Sequence, residues 1–195
     1  TAVAASSTLD GGQVGVVQKV RLADGRTVVV KTAETDLTTE ARMLSHLNEE
    51  GGLAVPEVLH ATPAVLVLEY IPGDGSLTTA VERDLATQVA ALHETAAAQF
   101  GFPFDTPTGR FRQPNPWTDD WVTFFGDARL SHATECAVSE GVLPEATAER
   151  VGAVVADLPA LLDHDPDPAL IHGDVWRENL RIGDDGADAF CGRLR

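Results

Sequence analysis

Valines crowd the first clear pattern of the chain. Residues 14–22 (VGVVQKVRL) and 26–33 (RTVVVKTA) flank Ala23-Asp24-Gly25, which predicts two strands joined by a hairpin turn with Gly25 at positive φ. In residues 36–50 (DLTTEARMLSHLNEE), Leu37, Ala41, Leu44 and Leu47 recur at helical spacing. Asp36 is placed to cap that helix and Gly51-Gly52 to end it. Residues 64–75 (AVLVLEYIPGDG) form an apolar run closed by Pro72, Gly73 and Gly75, which predicts a buried strand entering a loop.

Beyond that loop the period changes from strand to helix. Leu85, Val89, Leu92 and Ala96 make one stripe, and Val151, Val154, Val155, Leu158, Leu161 and Leu162 make another. Between them, the prolines and glycines of residues 100–121 (FGFPFDTPTGRFRQPNPWTDDW) exclude regular structure over most of that length. The reading is an α+β chain with a sheet-rich lobe at 1–72 and a helical one at 73–195. Neither repeats nor low-complexity tracts interrupt it.

Composition narrows the function. At 195 residues the chain is long enough to bury a core, and no run of 18 apolar residues could span a bilayer. Thirty acidic side chains against fourteen basic ones give a formal charge of −16, which repels nucleic acid and anionic membranes. An acid-rich chain with only two lysines, Lys19 and Lys31, suits a high-salt, halophilic cytosol where screening weakens self-repulsion. The opening TAVAASSTLD lacks the features of a secretory signal, so a cytoplasmic location is expected. Cys136 and Cys191 have no metal-ligand spacing and read as free thiols.

The strongest chemical signal is HGDVWREN, residues 172–179. A carboxylate such as Asp174 can accept or orient the proton of a substrate hydroxyl, and an amide oxygen five residues on, at Asn179, can bind Mg²⁺ that bridges nucleotide phosphates. A glycine turn with an Asp cap and an exposed Asn fits the octet too. Lys31 ends TVVVK, and Glu40 follows nine residues later on the first helix. A nucleotide phosphotransferase needs such a cation on the phosphates and such a carboxylate to hold it. Alone, the two also fit a strand-end lysine and a solvated glutamate. Gly11, Gly12 and Gly15 offer a glycine-rich loop before the hairpin, or a simple turn, and Glu69, Tyr70 and Ile71 offer a hinge for an adenine ring.

Three segments carry a resemblance: FGFP (100–103), QPNPWTDDW (113–121) with Phe124-Phe125 soon after, and HGDVWREN. From Leu9 to about Phe190 the chain resembles the fructosamine kinase, or ketosamine-3-kinase, family, a branch of the protein-kinase-like fold that also holds aminoglycoside and choline kinases. The resemblance implies a bilobal fold with ATP and Mg²⁺ as cofactors. Lys31 would contact ATP phosphates, Glu40 would pair with it, Asp174 would be the catalytic base and Asn179 a magnesium ligand. The substrate implied is a small-molecule or protein-bound ketosamine, phosphorylated at its 3-hydroxyl for deglycation. Trp117 and Trp176 would line the substrate side, while Trp121, in helical register with Phe124 and Phe125, reads more as packing. An aminoglycoside or other small hydroxyl acceptor keeps the same fold, and a non-catalytic nucleotide-binding fragment is the reading outside enzymes.

One departure stands at the end of the chain. The family carries Asp-Pro-Ala after the hairpin that follows Asn179, and matching strands puts its Asp near position 192, where this sequence has Gly192. Asp184, Asp185 and Asp188 fall too early to replace it. The expectation is a truncated or frame-shifted end and impaired transfer, because phosphoryl transfer depends on the charge that the second carboxylate helps a metal supply.

Overall fold

Both valine-rich segments form strands. The computed structural model describes residues 2–9, 15–73, 75–108, 111–183 and 187–190. Strand β1 spans Val3–Thr8, β2 Val16–Leu22 and β3 Thr27–Thr32. Gly25 closes the β2–β3 turn at φ +91°, with Leu22 and Arg26 joined across it by a 2.8 Å backbone hydrogen bond. Strand β4 (Val58–Ala61) and β5 (Val65–Glu69) complete an antiparallel sheet of order β1-β2-β3-β5-β4.

Register decides which side chains share a face. Lys31 is opposite Val17 on one side and Leu66 on the other, and Val29 is opposite Lys19 and Leu68. Directly opposed residues project to the same face, and so do residues two apart on one strand. Lys19, Lys31, Leu66 and Leu68 therefore lie on one face of the sheet.

Helix α1 (Leu37–Glu49) covers that face. The Asp36 carboxylate accepts the Thr38 N–H, and these Thr38 hydrogen bonds hold its pKa below the usual carboxylate value. Leu37, Ala41, Leu44 and Leu47 are buried, as their spacing predicts, and Leu37 and Ala41 pack on Leu66. Gly52 follows the helix at φ +60°. Helix α2 (Thr79–His93) buries Val81, Leu85 and Leu92. It ends before Ala96, so that member of the expected stripe is exposed and bridges Ala169 through its backbone.

The chain divides into two compact units, one holding the described residues up to Thr95 and from Ile171 onward, the other Ala96–Leu170. Within the second, the irregular 100–121 segment contains a small ribbon of β6 (Thr106–Thr108) and β7 (Phe111–Gln113). Helix α3 (Trp121–Phe125) runs through a π-helical segment, Gly126–Ser131, into α4 (His132–Ser139). The His132 ring hydrogen-bonds the Arg112 carbonyl at 2.6 Å, tying the start of α4 to the ribbon.

Helix α5 spans Glu145–Leu161. A Cβ on Gly126 would sit 3.2 Å from a Leu158 methyl, so the missing side chain lets the π segment approach α5 closely. The broad apolar stripe expected on α5 is a correction. Leu158 is buried and Val151, Val155 and Leu162 are half-buried, but Val154 and Leu161 are 46% and 60% exposed. A narrow seam meets the neighbouring helix, and the residues flanking it fall outside the contact.

Strands β8 (Leu180–Ile182) and β9 (Ala187–Phe190) form the expected hairpin after Asn179. Cys136 is a free thiol, while Cys191 lies outside the described residues. Among the described residues no helix is long and apolar enough to cross a membrane.

Candidate active site

Lys31 sits near the end of β3 between Val17 and Leu66, with only 6% of its surface exposed. Its ammonium forms an ion pair with the Glu40 carboxylate. The helix supplying Glu40 is fixed by its Asp36 cap and by Leu37 and Ala41 packed on Leu66, so the pair rests on tertiary packing at both ends. Dry surroundings strengthen such an attraction far beyond its value in water.

At the end of β5 the expected hinge residues differ in setting. Glu69 is exposed, and its backbone N–H donates to the Glu57 carbonyl at 2.9 Å. Tyr70 is half-buried, and its hydroxyl accepts a 2.8 Å hydrogen bond from Lys19 Nζ, which also lies 4.0 Å from the ring centroid. Ile71 is half-buried.

A second pair closes within residues 171–182. Gly173 takes φ +81°, a conformation that disfavours a side chain. Before it, buried His172 accepts the Asp174 N–H on Nδ1 at 3.2 Å. An N–H can only donate, so Nδ1 carries no proton. Burial lowers the His172 pKa from 6.5, against the opposing charge of Asp174, and the neutral imidazole is favoured. The Asn179 side-chain amide then donates to the Asp174 carbonyl at 2.9 Å and to its carboxylate at 2.7 Å. A 3-10 turn at Arg177–Asn179 brings the two together, and Asn179 is 5% exposed.

A carboxylate and an amide on one loop are hard oxygen donors of the kind Mg²⁺ takes alongside nucleotide phosphates. They suit that ion by type. Among the described residues no cluster of three or more His, Cys, Asp or Glu forms a separate metal cage.

The linker after β5 touches this loop directly. Gly75 N–H donates to the Ile182 carbonyl at 2.8 Å, and the Arg177 guanidinium donates to the Gly75 carbonyl at 3.1 Å. A Cβ on Gly75 would meet that Ile182 oxygen at 2.6 Å. In the sequence Gly73 and Gly75 mark only a loop, but close approach of the Ile182 backbone sets their place.

Several other expected residues are scattered by role. Gly11, Gly12, Asp184, Asp185 and Gly192 lie outside the described residues. Gly15, at φ +84°, lies so close to the Thr32 carbonyl, next to Lys31, that a Cβ there would collide with it. Trp176 is 41% exposed beside the Asp174 loop, and Trp117 is 50% exposed in the other unit. Trp121 stacks on Phe125 at 5.3 Å and contacts Phe100, which is the packing role expected of it.

Asn115, read only as part of a distinctive segment, is a buried junction. Its side-chain nitrogen donates to the Phe104 carbonyl and the Thr106 hydroxyl, and its oxygen accepts from Arg129 at 2.6 Å. Arg129 also donates to the Pro114 carbonyl and lies over the Phe124 ring, and burial lowers its pKa. Nothing local in the sequence joins positions 115 and 129, and only the unusual Pro-Asn-Pro setting signals a constrained amide.

Comparison with known proteins gives a consistent answer. Residues 1–191 match the family model described as Fructosamine kinase. A probable ketoamine kinase of Escherichia coli (strain K12) is 32% identical over 192 residues, covering 93% of this chain and 65% of that protein. The chain thus spans about two thirds of the length of that relative. Among solved structures, a putative fructosamine-3-kinase from Thermobifida fusca superposes with TM-score 0.81 at 28% identity, over 96% of this chain and 67% of that one. An ADP-bound aminoglycoside phosphotransferase superposes with TM-score 0.56 at 16% identity, over 96% and 64%, a likeness of fold alone. The architecture is the α+β, kinase-like one.

Proposed function

Because the chain belongs to the fructosamine kinase family, we propose that the protein transfers the γ-phosphoryl group of ATP to the 3-hydroxyl of a ketosamine, as a step in deglycation. The observation that carries this reading is one compact unit holding both a buried Lys31–Glu40 pair and an Asp174–Asn179 pair five residues apart. Phosphoryl transfer needs little covalent chemistry from a protein and much positioning and charge.

In this mechanism Lys31, aimed by Glu40, holds the nucleotide phosphates. Asp174 orients the acceptor hydroxyl and takes its proton as the oxygen attacks. His172 fixes the backbone of Asp174, and the Asn179 amide fixes its carboxylate. Asp174 and Asn179 would hold Mg²⁺, which when bound would neutralise charge on the nucleotide phosphates. Residues 69–71 receive the adenine, and Trp176, beside the Asp174 loop, offers an aromatic face to the sugar-amine. Position 192, where the family's second carboxylate is expected, is Gly192 and lies outside the described residues, so slow transfer is expected of this chain, and the whole protein's activity is the subject of this proposal.

Transfer of label from γ-labelled ATP to fructosyl-lysine, with kanamycin in parallel, tests it. Labelled fructosyl-lysine that disappears in Asp174→Asn is the result expected. Labelled kanamycin with unlabelled fructosyl-lysine would move the acceptor class, and Mg-ATP binding without transfer to either would leave a non-catalytic nucleotide-binding protein.

A further inference from the structure

The second of the two lysines has a place that the kinase reading does not use. Lys19 is opposite Val29, and Val29 is opposite Leu68, so the three side chains form a row on the face that also carries Lys31. Tyr70 follows Leu68 by two residues. Lys19 reaches it across the intervening β3, donating to the hydroxyl at 2.8 Å with its ammonium 4.0 Å from the ring centroid. Both groups are half-buried. A cation held at once by a hydroxyl and an aromatic face is restrained in position more tightly than either contact alone would achieve.

We infer that Lys19 and Tyr70 form a positioning arch that ties β2 to the segment after β5 and sets where residues 69–71 present their backbone to a nucleotide base. The inference rests on the phosphotransferase reading above. The phosphate end of the same face belongs to Lys31, whose partner Glu40 lies on α1 and makes no use of Tyr70. The two lysines thus divide the work: Lys31 faces the phosphates and Lys19 fixes the base end. Lys19 is a positioning residue in this scheme and need not touch the ligand.

Calorimetric titration of the 195-residue chain with Mg-ATP and, separately, with magnesium tripolyphosphate, which has phosphates and no base, tests the arch. Tyr70→Phe keeps charge and ring and removes only the hydroxyl acceptor. It should weaken Mg-ATP about three- to tenfold, the range of one net hydrogen bond, and leave tripolyphosphate unchanged. Lys19→Met should weaken both ligands, since it removes a charge, and adding Tyr70→Phe to it should cost no further Mg-ATP affinity. Equal losses for the two ligands in Tyr70→Phe, or fully additive losses in the double variant, would overturn the arch while leaving the kinase reading intact. A wild-type chain that bound neither ligand would overturn the kinase reading and the arch with it.

Discussion

Lys31 and Glu40 form an ion pair with side chains only 7% and 14% exposed, joining the third strand of the sheet to the helix that follows it. A pair this dry contributes little net stability over an apolar substitute of similar size, because its desolvation cost offsets its attraction. Its value is geometric.

Breaking one side of the pair therefore has a larger effect than replacing both. Glu40→Gln should destabilise the chain by about 3 kcal/mol, since it strands a buried ammonium, whereas Lys31→Met with Glu40→Leu should lie within about 1 kcal/mol of wild type. Urea unfolding reads both. Mg-ATP affinity should fall in both, so that stability and binding separate only in the double variant.

His172 makes stability depend on pH in a set direction. Its folded pKa lies below 6.5, so the folded chain resists a proton that the unfolded chain accepts. The contribution is present in full above 6.5 and is lost as pH falls through that value toward the folded pKa. His172→Asn keeps an acceptor for the Asp174 N–H but does not titrate. The urea midpoint of this variant should fall less steeply than wild type between pH of about 7 and about 5, and parallel curves would refute the assignment.

Asn115 and Arg129 should respond unequally to truncation. Asn115→Ala removes three hydrogen bonds at a buried junction and should cost about 2 to 4 kcal/mol. Arg129→Met leaves Asn115 its two donor bonds and relieves a desolvated charge, so about 1 kcal/mol is expected. Denaturant midpoints at constant m-value give the ordering.

Two glycines separate conformational strain from collision. Gly25→Ala meets an unfavourable φ of +91° with open space around it and should cost about 1 kcal/mol, with no effect on the Asp174 loop. Gly75→Ala drives a methyl into the Ile182 carbonyl and should cost about 2 kcal/mol. Hydrogen exchange across residues 171–182 should accelerate in the second variant alone.

A formal charge of −16 predicts strong salt stabilisation. Raising KCl from about 0.1 M to about 1 M shortens the screening length from about 10 Å to about 3 Å and should raise the thermal midpoint. A flat or falling midpoint would count against adaptation to a salty interior.

Local sequence carried the features that local physics determines. The β2–β3 hairpin, the capped helix with Leu37, Ala41, Leu44 and Leu47 inside, and the five-residue closure from Asp174 to Asn179 are all short-range. Contacts across long separations were not legible: Lys19 meets Tyr70 across 51 residues, and Arg177 meets Gly75 across 102. On α5, periodicity marks Val154 and Leu161 as apolar but cannot say how wide the neighbouring surface is, so the stripe read from sequence is broader than the buried one. Gly73 and Gly75 show the same limit, since a glycine's local freedom is visible in sequence and the backbone packed against it is not.

The π-helical segment between α3 and α4 changes how insertions and deletions would read along that helix. An α-helix turns about 100° per residue, and a π segment accommodates a residue that an α-helix of the same length would not. Deleting one residue within Gly126–Ser131 would remove that extra residue and let the segment close to α-helix with the residues after it near their present phase, whereas a deletion inside a regular α-helix would swing everything after it by roughly that angle. His132 would still face the Arg112 carbonyl, and the ribbon would stay tied to α4. The wide turn thus holds a slack residue, and a single missing codon there would do less harm than one inside α4 or α5.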